Sequence, residues 1–195
     1  MDECKNSFAQ IRLADNRDQI AVVVELCKKH LRKFPEHGPA WLRYGMALAA
    51  FARYAEAEKA IYRALQLCPK ESRFAPYVQL GHLVEAKGDF KQAAIWYRKA
   101  ISQNPQDATY HIFLASNAFK RGLLKQSEAI YRGALKCTEG CLEEAYFNLG
   151  GILLGKRKYT EAIECYREAL KIDPKYRIAK ERLDDAELAL LIVDF

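Results

Sequence analysis

The chain has 195 residues, of which 50% are hydrophobic and 29% are charged, and its formal net charge is +6 at pH 7. This composition is typical of a folded protein and excludes an intrinsically disordered one. No apolar run approaches the roughly 20 residues that a membrane-spanning helix needs, and the polar start MDECKNSF is unlike the apolar core of a secretion signal.

Similar segments recur along the chain at spacings of 34 to 36 residues, which indicates a repeat architecture. We predict one domain over residues 1–195 with these parts in chain order: a degenerate repeat over 4–37, regular repeats over 38–73, 74–107, 108–142 and 143–176, and a capping helix over 177–195. The first repeat is degenerate because Ile11 and His30 stand where the other repeats have small residues. Turns at Gly88 and Gly122 divide two of the repeats into two helices each.

Small and large residues recur at fixed positions within the repeats. The small residues of the first helices are Gly45, Gly81, Ala115 and Gly150, and those of the second helices are Ala57, Ala93, Ser127 and Ala162. A row of large residues on the second helices consists of Ile61, Tyr97, Tyr131 and Tyr166. A large side chain beside a small one lets two helices pack closely, so these rows predict paired helices.

The motif W-L-x-Y-G from Trp41 to Gly45, followed by Ala57, Ala64 and Pro69, resembles the tetratricopeptide repeat family. Four units in register carry the resemblance over nearly the whole chain. It implies an all-α fold, a right-handed α-solenoid of antiparallel helix pairs with a concave side and a C-terminal capping helix. No stretch alternates apolar and polar residues as a half-buried strand does, so we expect no sheet.

The sequence contains no recognised catalytic or metal-binding motif. The four histidines are dispersed, no H-E-x-x-H helix occurs, and Gly150, Gly151 and Gly155 lack the lysine–serine pair of a phosphate-binding loop. We therefore expect no enzyme activity, no cofactor and no metal, with His30 as a structural or surface residue. The six scattered cysteines predict free thiols in a reducing compartment, which favours the cytoplasm.

The resemblance implies that the outward side of each first helix lines a concave groove. The positions concerned are Leu42, Met46, Val78, His82, Ile112, Phe119, Phe147 and Leu154. Because this set is mainly apolar, we predict that the groove binds an apolar or amphipathic segment of another protein, with Phe119 and Phe147 as anchors. Several of these side chains could instead pack against the adjacent repeat.

One subgroup of this family binds the acidic carboxy terminus of heat-shock chaperones through lysine, asparagine and arginine side chains. No three successive repeats supply these residues here, because the corresponding positions hold Phe8, Arg12, Leu42, Arg43, Met46, Gln79, Thr109 and Phe113. We predict that the chain does not bind that tail.

A basic edge is the second surface that the repeats predict, because the turns within them carry Arg53, Lys87, Lys120, Arg121, Lys156, Arg157 and Lys158. Such an edge supports an alternative function, a helical-repeat protein that binds RNA, although it is also what a solvated row of turns looks like. No aromatic residue is interleaved with these charges to stack on bases, which disfavours nucleic acid.

The last helix carries a second apolar stripe opposite the face that seals the final repeat. The stripe consists of Leu188, Leu191, Ile192 and Phe195. It predicts docking on a partner, association with a second copy, as in a self-assembling structural subunit, or a chain that continues beyond Phe195. Simple fraying of a terminal helix is the alternative.

Overall fold

The computed structural model describes residues 2–193, and these residues form eleven α-helices joined by short turns. By their internal contacts the residues fall into two compact units, Met1–Gln103 and Asn104–Phe195. The prediction of an all-α fold is confirmed, since the described residues contain one isolated backbone bridge and no strand. None of the described helices is long and apolar enough to cross a bilayer.

The first unit consists of three helix pairs, one for each of the first three predicted repeats, although the first helix begins at Asp2, before the predicted start at residue 4. The helices are α1 (Asp2–Asp15), α2 (Ile20–Lys33), α3 (Gly38–Ala50), α4 (Tyr54–Leu67), α5 (Phe74–Ala86) and α6 (Phe90–Gln103). A short 3₁₀ turn over Lys70–Ser72 follows α4 and accommodates the longer spacing of this repeat. Successive pairs pack through α2 on α3 and α4 on α5.

The second unit has two helix pairs and a final single helix. The helices are α7 (Ala108–Lys120), α8 (Leu124–Ala134), α9 (Leu142–Gly155), α10 (Tyr159–Ile172) and α11 (Arg177–Val193). Helix α11 packs on α10 and α9 through the predicted sealing face, where Ala179 and Ala186 are fully buried. The final helix therefore covers the apolar side of the last pair.

Inside the helix pairs, the small residues of the first helices contact the large residues of the second helices, as the sequence predicts. A Cβ atom built on Gly45 would lie 2.5 Å from Cγ1 of Ile61, and one on Gly81 would collide with the ring of Tyr97. In the first repeat the sizes are exchanged, because Ile11 takes the small position and Cys27 the large one. Both residues are 0% exposed, so the exchange preserves the packed volume and explains how this repeat tolerates Ile11.

A left-handed residue occupies the same position in the turn of every helix pair. Gly88 and Gly122 have φ of 86° and 73°, as the sequence predicts. In the other three pairs the position belongs to Asp18, Ala52 and Arg157, with φ between 54° and 59°. The turn geometry is thus common to all five pairs, although only two of them use glycine for it.

Glu139 stands where the other repeats have proline, and here the chain takes a different route. The segment pairs with the loop before α7, since the amide of Ala108 donates to the carbonyl of Glu139 at 2.9 Å. Gly140 follows with φ of 86°, and a Cβ atom there would lie 2.9 Å from the amide nitrogen of Ala108. Backbone pairing and a required glycine therefore replace the proline.

Candidate functional site

An open cavity of about 590 Å³ lies in the second unit, and we call it the α7–α9 groove. It is lined by Ser116, Phe119, Tyr131, Phe147, Asn148, Gly151, Ile152, Leu154, Gly155, Tyr166 and Arg182. Three of the predicted groove residues, Phe119, Phe147 and Leu154, are therefore brought together around one cavity.

The helix pairs determine which residue reaches the groove. The first helices α7 and α9 supply the walls, at spacings of three and four residues that keep Phe147, Gly151 and Leu154 on one face of α9. The second helices supply Tyr131 and Tyr166, which are 3% and 1% exposed. These two rings belong to the row of large residues, so the same side chains pack inside the helix pairs and line the groove.

The two predicted anchors present aromatic surface at the groove. Phe119 is 51% exposed, so about half of its surface is open to a bound molecule at the groove. Phe147 is half-buried, with its ring centroid 5.9 Å from that of Tyr166 and 5.0 Å from that of Tyr176. The two neighbouring rings fix the orientation of Phe147 before anything binds.

Two features keep the groove open and uncharged at its base. Burial raises the pKa of Tyr166 to about 12 and also raises the pKa of Tyr131, so both phenols stay neutral at physiological pH. Gly151 has no side chain, and the nearest atom to a Cβ built on it is the Tyr166 hydroxyl at 3.9 Å. A larger residue at position 151 would enter the cavity rather than the core.

Arg182 of α11 is the one cationic side chain among the groove-lining residues, and no carboxylate is among them. Its guanidinium lies 3.3 Å from Asp185 on the next turn of α11, in a pair whose side chains are more than half exposed. An exposed pair of this kind is weak and exchangeable. Arg182 can therefore turn to an acidic group on a bound molecule.

The first unit contains a smaller hollow of about 280 Å³ between α3 and α5. The predicted residues Met46 and His82 line it, together with Ala49, Tyr54, Ile61, Gln79, Leu83 and Ala86. The hydroxyl of Tyr97 donates to Glu85 at 3.0 Å and lies 3.2 Å from Nδ1 of His82. These polar contacts hold the exposed ring of His82 beside the hollow.

Three other predicted groove residues lie outside both cavities. Ile112 is 2% exposed and belongs to the apolar cluster that also contains Ala145 and Leu149 of α9. Val78 is 6% exposed on α5, and Leu42 is half-buried. Val78 and Ile112 are core residues, which corrects the prediction for these two positions, because neighbouring first helices pack against each other on the side next to the groove.

A third cavity, of about 700 Å³, lies along α2 alone, lined by Ala21, Val22, Glu25, Leu26, Lys28, Lys29 and Arg32. One helix provides only one wall, so this surface cannot enclose a bound segment on two sides. The smaller α7–α9 groove, which five helices line, is the better candidate site.

The residues of the predicted basic edge are largely engaged in ion pairs within each unit. In the first unit, Arg53 pairs with Glu56 at 2.6 Å and Lys87 with Glu58 at 3.0 Å. In the second unit, Lys156 pairs with Glu128, and Lys158 and Arg132 both pair with Glu161. Lys120, Arg121 and Arg157 complete the predicted set. Carboxylates therefore neutralise much of the charge that an RNA backbone would need.

The stripe on α11 is exposed where the structure describes it. Leu188, Leu191 and Ile192 are 58%, 59% and 67% exposed, whereas Phe195 lies outside the described residues. Such a contiguous apolar surface on one helix is suited to contact with another molecule.

Sequence reasoning missed one cluster of polar residues, which lies in the first unit. Cys4 and His37 flank the buried His30, and the potential ligand atoms of the three side chains lie within 4.8 Å of one another. The residues are far apart in the sequence, so no motif spacing reveals them. The available signal was His30 itself, a histidine where the other repeats have alanine.

Three stretches of the chain match family models for the tetratricopeptide repeat, over residues 26–72, 75–107 and 143–176. Together the three stretches cover more than half of the chain.

Two human proteins illustrate the similarity to curated relatives. The chain is 27% identical over 147 residues to the Cell division cycle protein 16 homolog of Homo sapiens, which covers 71% of this chain and 23% of that protein. It is 27% identical over 139 residues to the Protein O-mannosyl-transferase TMTC1 of Homo sapiens, covering 71% of this chain and 15% of that protein. The chain thus spans less than a quarter of the length of either relative.

Solved structures share the fold at low sequence identity. The chain resembles the APC/C hetero-tetramer Cut9-Hcn1 with a TM-score of 0.74 and 18% identity, over 95% of this chain and 36% of that chain. It resembles YrrB, a TPR protein with an unusual peptide-binding site, with a TM-score of 0.59 and 17% identity, over 88% of this chain and 87% of that one.

Proposed function

The chain belongs to the tetratricopeptide repeat family, and we propose that it is a non-catalytic scaffold or adaptor that binds a segment of another protein in the α7–α9 groove. The observation that carries this proposal is the half-exposed Phe119 at a cavity that it shares with the aromatic and aliphatic side chains of Phe147 and Leu154 and with the cationic Arg182. Fully burying a phenylalanine side chain contributes about 1.5–3 kcal/mol, and because Phe119 is 51% exposed, a partner that covers it gains roughly half of that.

The chemistry of the groove defines the segment that would fit. Phe119, Phe147 and Leu154 offer apolar contacts, and Arg182 offers a cation at the same cavity. An amphipathic helix or extended segment with two or three large apolar side chains and one nearby carboxylate matches this surface. A single short segment of this kind would bind with an affinity of about 1 μM, or ~8 kcal/mol.

The relatives support a binding role of this kind. YrrB is described as having a peptide-binding site on the same fold, and Cut9-Hcn1 is a hetero-tetramer of the APC/C. A repeat module that holds one component of a larger assembly is consistent with both. The six free thiols favour a reducing compartment, and we place the protein in the cytoplasm on that ground.

The alternatives have less support. The RNA-binding edge has less support because the glutamates beside Arg53, Lys87, Lys156 and Lys158 lower the net positive charge of that surface. Self-assembly through the α11 stripe is compatible with groove binding, because the two surfaces use different residues. The acidic chaperone tail is not the proposed ligand, because the groove is mainly apolar and offers one arginine.

Peptide selection tests the proposal. A phage-displayed random peptide library is selected against the chain, and the peptides recovered are measured by calorimetry against Gly151→Leu. The new side chain at position 151 enters the groove, where the nearest atom to its Cβ is 3.9 Å away, so the fold is retained and binding falls at least ~10-fold, or about 1.4 kcal/mol.

The matched control is Gly133→Leu, since Gly133 is also helical and also has open space around a built Cβ. This variant should bind like the wild type. The proposed function would be contradicted if the selected peptides bound Gly151→Leu with unchanged affinity. It would also be contradicted if the selection did not enrich peptides that combine large apolar side chains with an acidic one.

A further inference from the structure

The polar cluster in the first unit joins three separate parts of the chain. Cys4 lies in the first turn of α1, His30 in the last turn of α2, and His37 immediately before α3. Nε2 of His30 lies 2.8 Å from Nδ1 of His37 and 4.0 Å from Sγ of Cys4. His30 is 2% exposed, and the other two residues are half-buried.

Packing alone does not account for polar residues at this place. The positions that correspond to Cys4 and His30 in the second repeat are Gly38 and Ala64, and a Cβ on Gly38 would lie 3.6 Å from the carbonyl of Ala64. Small apolar groups therefore close that helix pair. The first repeat instead places an imidazole and a thiol at the equivalent point, where buried polar groups are costly unless they have partners.

Ser7 orients the imidazole of His30. The hydroxyl of Ser7 donates to the carbonyl of Glu3 at 2.9 Å and lies 2.7 Å from Nδ1 of His30. With the hydroxyl proton directed at the carbonyl oxygens of Glu3 and Cys4, the Ser7 oxygen can accept from Nδ1–H of His30, and we assign that tautomer to His30. This arrangement leaves a lone pair on Nε2, which points at Cys4 and His37, and a hydrogen bond on the other ring nitrogen is how proteins orient a metal-binding histidine.

Aromatic rings shield the cluster. The ring centroid of Phe8 lies 4.6 Å from that of His37, and the centroid of Phe34 lies 5.0 Å from that of His30. Burial lowers the pKa of both histidines, and His37 lowers that of His30 further. Neutral imidazole is the form that coordinates a metal.

We propose that Cys4, His30 and His37 form a zinc site that fastens α1 to α2 and to the start of α3. One thiolate and two imidazoles are a ligand set that Zn²⁺ accepts, with Zn–S of about 2.3 Å and Zn–N of about 2.0–2.1 Å. In a tetrahedral site of those dimensions the ligand atoms lie about 3.3–3.6 Å apart. The 2.8 Å and 4.0 Å contacts of His30 Nε2 lie on either side of that range, and all three ligand atoms lie within 4.8 Å of one another. Side-chain movements of about 1 Å therefore bring them to coordination distance.

Zinc binding exchanges a proton for the metal. The thiol of Cys4 loses its proton to solvent. His37, which donates from Nδ1 to Nε2 of His30 in the free site, changes tautomer so that its proton lies on Nε2 and Nδ1 can bind the metal. One proton therefore goes to solvent for each ion bound. The three protein ligands leave a fourth position for water. Because α1 contributes Cys4 and Ser7, occupancy of the site stabilises the amino-terminal helix of the first unit.

Zinc titration of the full chain tests the site. The protein is stripped with a chelator, kept reduced with a phosphine, and titrated with Zn²⁺ against a chromogenic competitor. We expect one ion per chain, with affinity reduced at least ~10-fold in Cys4→Ser and in His37→Gln, and ~10-fold in Ser7→Ala. With Co²⁺ as the probe, the thiolate charge-transfer absorption should disappear in Cys4→Ser.

Matched controls are Cys68→Ser and His111→Gln, half-buried residues outside the cluster, which should bind zinc like the wild type. Circular dichroism reports whether each variant is folded, and zinc should raise the unfolding temperature of the wild type but not of Cys4→Ser. The proposal would be overturned if the wild type bound no zinc or if Cys4→Ser bound zinc with unchanged affinity. It would also be overturned if zinc binding were lost in Cys137→Ser, because Cys137 lies outside the cluster.

Discussion

The ring of Tyr166 occupies the space that a side chain on Gly150 would need, since a Cβ built on that glycine would lie 2.7 Å from Cε1 of the ring. Tyr166 is 1% exposed and also lines the α7–α9 groove. Gly150 therefore allows α9 and α10 to approach closely. The same close approach places the Tyr166 ring at the base of the groove.

Replacing Gly150 with alanine should destabilise the second unit. The added methyl group must displace the buried Tyr166 ring, and overpacking of this kind costs about 1–3 kcal/mol. Chemical denaturation measures the free energy of unfolding. The neighbouring Gly151→Ala serves as the control, because its Cβ meets no atom closer than 3.9 Å and alanine favours helix by about 1 kcal/mol. Equal destabilisation by the two variants would contradict this account of the packing.

Replacing a non-glycine residue in a left-handed turn with glycine should stabilise the protein. Ala52 has φ of 57°, a conformation that costs an L-residue roughly 1–2 kcal/mol, so Ala52→Gly should raise the free energy of unfolding by about 1 kcal/mol. Ala55→Gly, at an exposed position in α4, should lower it by about 1 kcal/mol. Thermal unfolding of the two variants distinguishes these effects by sign, and a loss of stability in Ala52→Gly would refute the prediction.

The paired glutamate at position 128 predicts a pH-dependent contribution to stability. Hydrogen bonds from Lys156 and Arg132 lower the pKa of Glu128, whose side chain is 14% exposed. A carboxylate with a lowered folded-state pKa stabilises the protein above the unfolded-state value of about 4.3, and this contribution disappears as the pH falls through the folded-state pKa.

Glu128→Gln should therefore lower the free energy of unfolding by about 1 kcal/mol at pH 7, and the difference from the wild type should vanish in acid. Urea denaturation at a series of pH values measures both. Glu164→Gln, on the exposed face of α10, is the control and should differ little from the wild type at any pH. A difference for Glu128→Gln that persists unchanged at pH 3 would be inconsistent with an ionic cause.

The exposed stripe on α11 predicts self-association or partner docking that a double substitution removes. Leu188→Asp with Ile192→Asp should leave the helical content unchanged and abolish any concentration-dependent increase in mass, as measured by light scattering. Leu124→Asp with Ile172→Asp alters two apolar residues of similar exposure outside the stripe and should have no such effect. A mass that is the same for the wild type and the stripe variant at all concentrations would argue against self-association.

Much of the fold follows from the sequence, because the repeat register determines where helices begin, turn and meet. Gly81 against Tyr97 and Gly150 against Tyr166 are contacts that the aligned rows predict directly. The turn at Ala52 was less evident, since the left-handed conformation is set by the repeat geometry and not by the residue that adopts it.

The candidate site was only partly predictable. Sequence position on a first helix cannot distinguish the groove side from the side that packs on the next repeat, so the sequence predicts Ile112 in the groove although it lies in the core. Tyr131 and Arg182 reach the groove from other helices. Whether they do so depends on the angles at which the helices pack, which the sequence pattern does not give. The Cys4, His30 and His37 cluster required a three-dimensional structure, because it joins one helix to the end of another.

The most direct test of the central claim is a crystal structure of the chain with a peptide selected from the library. Our account predicts that apolar side chains of the peptide lie against Phe119 and Phe147 and that a peptide carboxylate contacts Arg182. A peptide bound along α2, on the basic turns or on the α11 stripe, with the α7–α9 groove empty, would contradict it.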